Sequence, residues 1–156
     1  MNPLQWIMKG TWVYFKENIL KKFKNKTIIQ VRFSDVDMLG HVSNTVYQTY
    51  FDTGKTHYFD EVIKDYDFTK EAIVGASIKI DYLEPIFMRT QIEVQSRISR
   101  IGNKSFDFEH LLVNTKTGEV LSTCLAVMVC FNPSTQETIP IPEVWKEKIL
   151  LYEEEL

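Results

Sequence analysis

The chain has no uninterrupted apolar run near the ~20 residues that a membrane-spanning helix needs, so no transmembrane helix is expected. Cysteine is scarce: Cys124 and Cys130 lie in one apolar run. On one strand that spacing puts both thiols on the same face, too far apart for a disulfide. Reduced core thiols and a cytoplasmic location follow as expectations. Positive charge is not in excess: 18 Lys and Arg stand against 21 Asp and Glu, a net −3. That balance argues against a general nucleic-acid binder. The N-terminus lacks a basic start, an apolar block and a small-residue cleavage site, so no secretory signal is expected. Repeats and low-complexity tracts are absent too.

What is present fits one folded domain. The 156 residues, 44% of them hydrophobic, suffice for a real core. Residues 3–25 read as an amphipathic helix, with Leu4, Met8, Trp12, Phe15, Ile19 and Phe23 recurring every three or four positions. Lys9, Lys16, Lys21, Lys22, Lys24 and Lys26 against Glu17 give this segment +5, leaving −8 for the rest. Two roles stay open for it: packing on its own domain or a second subunit, or contact with a membrane surface or a partner. Residues 1–26 are therefore set apart as an N-terminal extension, and 27–156 as a single domain.

From Thr27 to Phe33 the run "TIIQVRF" reads as a strand. A polar loop follows, then a helical pattern over about Ser43–Lys64 anchored on Val46, Tyr50, Tyr58 and Val62. Gly54 is an anomaly inside it. Residues 65–75 read as a polar connection. Four runs then predict consecutive strands: "ASIKIDYLEP" and "TQIEVQSRISRIG", which alternate, then "KSFDFEHLLVNTKTGE" and "VLSTCLAVMVCFNP". The last is apolar on both faces, which suits an interior strand. Pro140 and Pro142 introduce a short closing helix. One long helix cannot bury its apolar face alone, so an antiparallel sheet wrapped round it is the simplest packing. A sheet face or edge left uncovered favours association with a second copy.

The chemistry concentrates in "FSDVDMLGHVSN", residues 33–44. Asp35 and Asp37 end a strand just ahead of a helix, which is also ordinary turn chemistry. A metal site would need Asp35, Asp37 and His41 as ligands. The glycine and distal glutamate of a calcium loop are missing, and His57 and His110 lie in other elements, so no metal is expected. A haloacid-dehalogenase-type phosphotransfer site would want Thr or Val where Leu39 stands, and a parallel sheet. Acyl transfer suits the segment better. The first N–H groups of a helix are unsatisfied and carry the positive end of its dipole. They can hold the oxyanion of a thioester while an aspartate attacks the carbonyl or activates water.

The stretch "RFSDVDMLGHVSNTVYQTYFDTGKTHYF" resembles the opening of the 4-hydroxybenzoyl-CoA thioesterase-like family, hotdog-fold acyl-CoA thioesterases. The family pattern Asp-x-Asp-xx-Gly-His-Val-Asn-Asn is met by Asp35, Asp37, Gly40, His41, Val42, Ser43 and Asn44, followed by Tyr47, Tyr50 and Phe51. A second block, "YLEPIFMRTQIEVQSRISRIGNKSFDFEHLL", resembles the family's Tyr-x-x-Pro strand end and Arg-Ile-Gly-x-x-Ser-Phe hairpin. The two blocks span roughly residues 28–132.

The resemblance implies an α+β hotdog fold: a long central helix wrapped by a five-stranded antiparallel sheet, here with additional N- and C-terminal helices. It implies a homodimer or homotetramer with sites at the subunit interface. The substrate it implies is an acyl-CoA or acyl carrier protein thioester, and no cofactor beyond the coenzyme A of the substrate. It makes Asp37 the nucleophile or general base, and a backbone N–H at or next to Asn44 the oxyanion donor. It leaves Asp35 and Gly40 as loop support and His41 as a supporting residue. Tyr47 and Tyr50 are candidates for the acyl pocket or for the core. Arg89, Arg97, Arg100 and Lys104 are the nearest cations for the coenzyme A phosphates. Two departures stand out. Ser43 replaces the first Asn, and its hydroxyl is expected to cap the helix. "IFMRT" replaces the usual Gly-Asp turn, placing Arg89 where an acidic residue is common. A thioesterase acting on carrier protein and a non-catalytic acyl-binding module are the alternatives.

Overall fold

In the computed structural model, residues 23–154 and 156 are described. The expected helix over residues 3–25 lies outside them except for its last positions, which are not helical, because Asn25 already opens the first strand. The elements run β1 (Asn25–Ile29), α1 (Asn44–Tyr58), β2 (Ala72–Tyr82), β3 (Ile92–Ile101), β4 (Ser105–Asn114), β5 (Val120–Asn132), β6 (Glu137–Thr138) and α2 (Glu143–Glu153). The sheet order is β1-β3-β4-β5-β2, with β6 paired to β5 and every pairing antiparallel. This is the hotdog fold. The sheet has one strand more than expected, the two-residue β6.

Three boundaries differ from the sequence reading. β1 starts at Asn25 and ends at Ile29; the apolar alternation continues to Phe33, but the chain leaves the sheet and makes a 3-10 turn over Phe33–Asp35. β2 starts at Ala72, inside the segment read as a polar connection, because small or exposed residues suffice on an edge strand. The long helix keeps its α form to Tyr58 and widens into a π-turn over Phe59–Ile63. There the Lys64 N–H reaches the Phe59 carbonyl at 2.8 Å, and Lys64 adopts a left-handed φ of 56°.

The core lies between the concave side of the sheet and α1. Phe51, Tyr58 and Phe59 from the helical segment meet Val94 and Ile98 of β3, Phe106 and Phe108 of β4, and Cys124 and Met128 of β5. Strand alternation sends these residues inward and their neighbours to the opposite face. Both cysteines are buried and free, and burial pushes each thiol up to about 12. Gly54 is explained by close approach: a Cβ there would overlap Val94 Cγ1 and come within 2.8 Å of Ser96 Oγ on β3. Gly54→Ala is expected to lower stability by about 1–3 kcal/mol through overpacking, despite the better helix propensity of Ala. Urea denaturation measures it; an unchanged midpoint would contradict the contact.

Candidate active site

The loop from Val36 to Val42 folds back on itself just ahead of α1. The Asp37 N–H donates to the His41 carbonyl at 3.0 Å, and the Gly40 N–H to the Asp37 carbonyl at 3.1 Å. Val36 and Val42 pair as an isolated antiparallel bridge. Gly40 takes φ +84°, a left-handed conformation that favours glycine. The Val42 N–H then donates to the Ile86 carbonyl at 2.7 Å, and His41 pairs with Phe87. The segment after β2 is thereby laid beside the loop.

The two aspartates have different surroundings. Asp35 is only 2% exposed. Its Oδ2 accepts from the Arg32 N–H at 2.9 Å and the Tyr50 hydroxyl at 2.7 Å, and Arg32 Nη2 sits 3.0 Å from Oδ1. Burial acts to raise this carboxyl, but the Arg32 N–H, the Tyr50 hydroxyl and the Arg32 guanidinium outweigh it and hold it below the usual range. Its backbone carbonyl accepts the Ser43 N–H at 2.9 Å, which ties the turn to the helix start. Asp37 is exposed, and its Oδ1 accepts the Leu39 N–H at 2.8 Å. Exposed apolar side chains flank it: Met38 and Leu39 at the loop tip, and Phe87 and Met88 on the neighbouring segment.

The helix begins at Asn44 with Ser43 at the N-cap. The Ser43 hydroxyl does not cap it, contrary to expectation; that oxygen lies 3.0 Å from Thr45 Oγ1 instead. The Val46 N–H turns back to the Ser43 carbonyl at 2.9 Å. The N–H groups of Asn44 and Thr45 come before any intrahelical acceptor and stand open for an incoming oxygen.

Tyr47 and Tyr50 are both buried. Tyr47 packs edge-on against Tyr82 at 4.8 Å, and burial pushes its hydroxyl up to about 12. Tyr50 supports the loop through Asp35. Tyr50→Phe is expected to cost about 1.5–3 kcal/mol, the worth of a hydrogen bond to a charged group, and to lower turnover by loosening the loop. Denaturant unfolding and steady-state rates on the same variant measure both. His41 acts through its backbone; among the described residues its ring makes no hydrogen bond.

Of the four cations, only Arg89 lies close to this loop within one chain, two residues from Phe87. Arg97 is buried against Glu109 at 2.7 Å, on the sheet face turned away from α1. Arg100 is bound to Asp107 at 2.7 and 2.8 Å, and Lys104 to the Thr138 carbonyl and hydroxyl at 3.1 and 3.0 Å. Both sit at the far end of the β3–β4 hairpin, which within one chain is roughly 25 Å of strand from Arg89. Among the described residues, no group of three or more His, Cys, Asp and Glu is placed to hold a metal ion.

One feature was missed at the level of sequence. A cavity of about 230 Å³ opens between the middle of α1 and β2, lined among others by Phe51, Asp52, Lys55, Ile78, His110 and Met128. Lys55 Nζ lies 2.6 Å from Asp52 Oδ1. His110 is buried, stacked on Phe108 at 4.9 Å, with Nδ1 2.8 Å from Ser96 Oγ. Asp52 and Lys55, three apart on α1, were the available signal; the register that sets His110 opposite them was not.

Comparisons with known proteins place the chain in a family. Residues 31–149 match the thioesterase-like superfamily. A thioesterase from Thermus thermophilus, solved with coenzyme A and zinc, is 30% identical, superposes with a TM-score of 0.74, and matches over 84% of this chain and 95% of its own. The long-chain acyl-CoA thioesterase FadM of Escherichia coli K12 is 22% identical over 126 residues, 80% of this chain and 96% of that protein. The uncharacterized protein YsmA of Bacillus subtilis 168 is 28% identical over 128 residues, 82% and 85% of the two chains. The chain belongs to the thioesterase-like superfamily of hotdog-fold proteins. It is a thioester hydrolase.

Proposed function

We propose that the protein hydrolyses acyl-CoA thioesters to the free acid and coenzyme A, with Asp37 as catalytic carboxylate and the Asn44 N–H as oxyanion donor. The observation that supports this is the folded-back loop, which leaves the Asp37 carboxylate exposed in the turn that leads into the open end of α1. As the thioester carbonyl oxygen gains charge, the helix end stabilises it. Asp37 either attacks the carbonyl carbon or removes a proton from the attacking water, and the coenzyme A thiolate leaves. Arg89, on the neighbouring segment, is the cation we assign to the coenzyme A phosphates. Relatives that bear coenzyme A or an acyl-CoA thioesterase name support the substrate class.

The direct test is release of free thiol from a panel of short, long and aromatic acyl-CoAs. Release from at least one member supports the reading, and the best substrate sizes the pocket. No release from any CoA ester, with turnover of the matching carrier-protein thioesters, would replace it with the carrier-protein reading. Binding without release of product would favour a non-catalytic acyl-binding module.

We further propose a homodimer joined along β2. This edge strand carries exposed residues on both faces, with Val74, Ile78 and Tyr82 each 40–45% exposed. Antiparallel pairing with its two-fold copy would extend the sheet and cover that edge. Val74→Asp, which puts a charge on this exposed edge of both copies, is expected to shift the protein to monomer in sedimentation. A dimer unaffected by this change would place the interface elsewhere.

A further inference from the structure

The cavity between α1 and β2 holds polar groups that the proposed reaction does not use. His110 stands in one row across the inner face of the sheet, with Ser96 of β3 on one side and Cys124 of β5 on the other. Its ring is 2% exposed, packed against Phe108 and Phe51. Nδ1 lies 2.8 Å from the buried Ser96 Oγ, which meets no other acceptor among the described residues. A buried O–H without an acceptor is costly, so the Ser96 hydroxyl donates to Nδ1 and the ring carries its proton on Nε2. The ring borders the cavity, and its Nε2 N–H has no hydrogen-bond partner among the described residues.

Two further polar groups share this space. Lys55 Nζ makes one hydrogen bond, to Asp52 Oδ1 at 2.6 Å, and the pair carries no net charge. The imidazole is neutral as well, because burial, and then the Lys55 charge, bring its pKa down to about 3. Phe51, Ile78 and Met128 belong to the apolar part of the lining. The cavity thus offers N–H donors and a carboxylate acceptor in an apolar setting of zero net charge. A charged ligand end has no counter-ion there. A hydroxyl is matched: its oxygen accepts from Nε2–H or Lys55, and its proton goes to Asp52.

The cavity also lies on the seam that leads from the candidate active site. At the active-site end of that seam the Tyr82 hydroxyl donates to the Asn44 carbonyl at 3.2 Å. Ile78, in the cavity wall, is four residues along β2 from Tyr82, roughly 13 Å. Asp52 is eight residues along α1 from Asn44, roughly 12 Å. The two elements give the same separation. An extended chain advances about 1.3 Å per bond, so about ten carbons span it. The Tyr47–Tyr82 contact stands between, with Tyr82 40% exposed.

We infer that this cavity receives the far end of a medium-length acyl chain and selects chains that carry a hydroxyl there, with His110 and Lys55 as the specificity-determining residues. The inference rests on the acyl-CoA thioesterase reading above and gives it a substrate class: acyl groups of about ten carbons, hydroxylated near the end remote from the thioester.

Two measurements on the full-length protein test this. The first is steady-state thiol release from decanoyl-CoA, 8-hydroxydecanoyl-CoA and 10-hydroxydecanoyl-CoA. A hydroxylated ester is expected to show roughly tenfold higher kcat/KM than the plain one, the worth of one hydrogen bond. Lys55→Met is expected to bring that ratio towards one. A variant that only disturbs the fold lowers both rates and leaves their ratio alone. The second measurement needs no turnover. Nitrogen-15 NMR follows the native His110 ring while decanoate or either hydroxydecanoate is added as the free acid. The Nε2 resonance is expected to shift more with a hydroxylated acid than with decanoate. Equal or lower kcat/KM for both hydroxylated esters, a preference that Lys55→Met leaves intact, or an Nε2 signal indifferent to the hydroxyl would overturn the inference. Should no CoA ester release thiol, the acyl-CoA thioesterase reading fails, and the free-acid titration alone decides the cavity.

Discussion

Asp37→Asn is expected to lower the rate of thioester hydrolysis by roughly 100- to 10,000-fold, the usual worth of a positioned acid–base group, and to leave the melting temperature unchanged. The separation of the two readouts comes from the local geometry. Asp37 is exposed, and its carboxylate makes one hydrogen bond, from the Leu39 N–H at 2.8 Å. An asparagine carbonyl oxygen accepts the same bond, so the loop keeps its shape. What is lost is the negative charge that attacks the carbonyl or takes the proton. Asp35 offers the contrasting case. It is buried, receives the Tyr50 hydroxyl and the Arg32 N–H, and its replacement would damage the fold together with the activity. Unchanged turnover in Asp37→Asn would end the assignment of Asp37, whatever the substrate.

Acidification is expected to destabilise the protein well before its carboxylates titrate, and His110 is the cause. The ring is 2% exposed and packed between Phe51, Phe108 and Ser96, with the charged Lys55 and Asp52 and the Cys124 thiol on the cavity side. Burial above all, and then the Lys55 charge, bring its pKa down from 6.5 to about 3. Above pH 6.5 the imidazole is neutral in both the folded and the unfolded chain, and its contribution is fully present. Below that value the unfolded chain takes up a proton that the folded chain refuses. Stability then falls by up to about 1.4 kcal/mol for each pH unit, on the order of 5 kcal/mol by the time the folded-state value is reached. Denaturant unfolding between pH 7 and 5 reads the onset, and His110→Gln should flatten it. A stability independent of pH across that range would mean that His110 is protonated in the folded protein.

Most of the architecture could be read from periodicity. The alternation in β3 is legible because one face of the strand meets α1 and the core. The errors fall where side-chain pattern and backbone path part company. Apolar alternation runs on to Phe33, yet the chain turns out of the sheet after Ile29 so that Asp35 can meet the Arg32 N–H and the Tyr50 hydroxyl. Those contacts depend on a partner fifteen residues away. Ala72–Gly75 carried no strand signal, since an edge strand has little to bury. The candidate site was legible as a motif, and α1 begins at Asn44, within the helix start that the pattern implied. Proximity along the strand made Arg89, Arg100 and Lys104 look equivalent, but the hairpin carries two of them to its far end. The cavity lined by His110 arises from three elements meeting and leaves no local trace.

The bare backbone at Gly54 gives α1 a fixed pivot. With Val94 and Ser96 in direct contact there, the helix has no slack against β3 at that point. The Asn44 N–H lies ten residues away, roughly 15 Å along the same rigid rod. A small tilt at Gly54 is therefore magnified at the Asn44 end of α1, as at the tip of a lever. If the Asn44 N–H is the oxyanion donor proposed above, a methyl group placed at Gly54 would mis-aim it without touching it, and catalysis should fail at a temperature where the fold still holds.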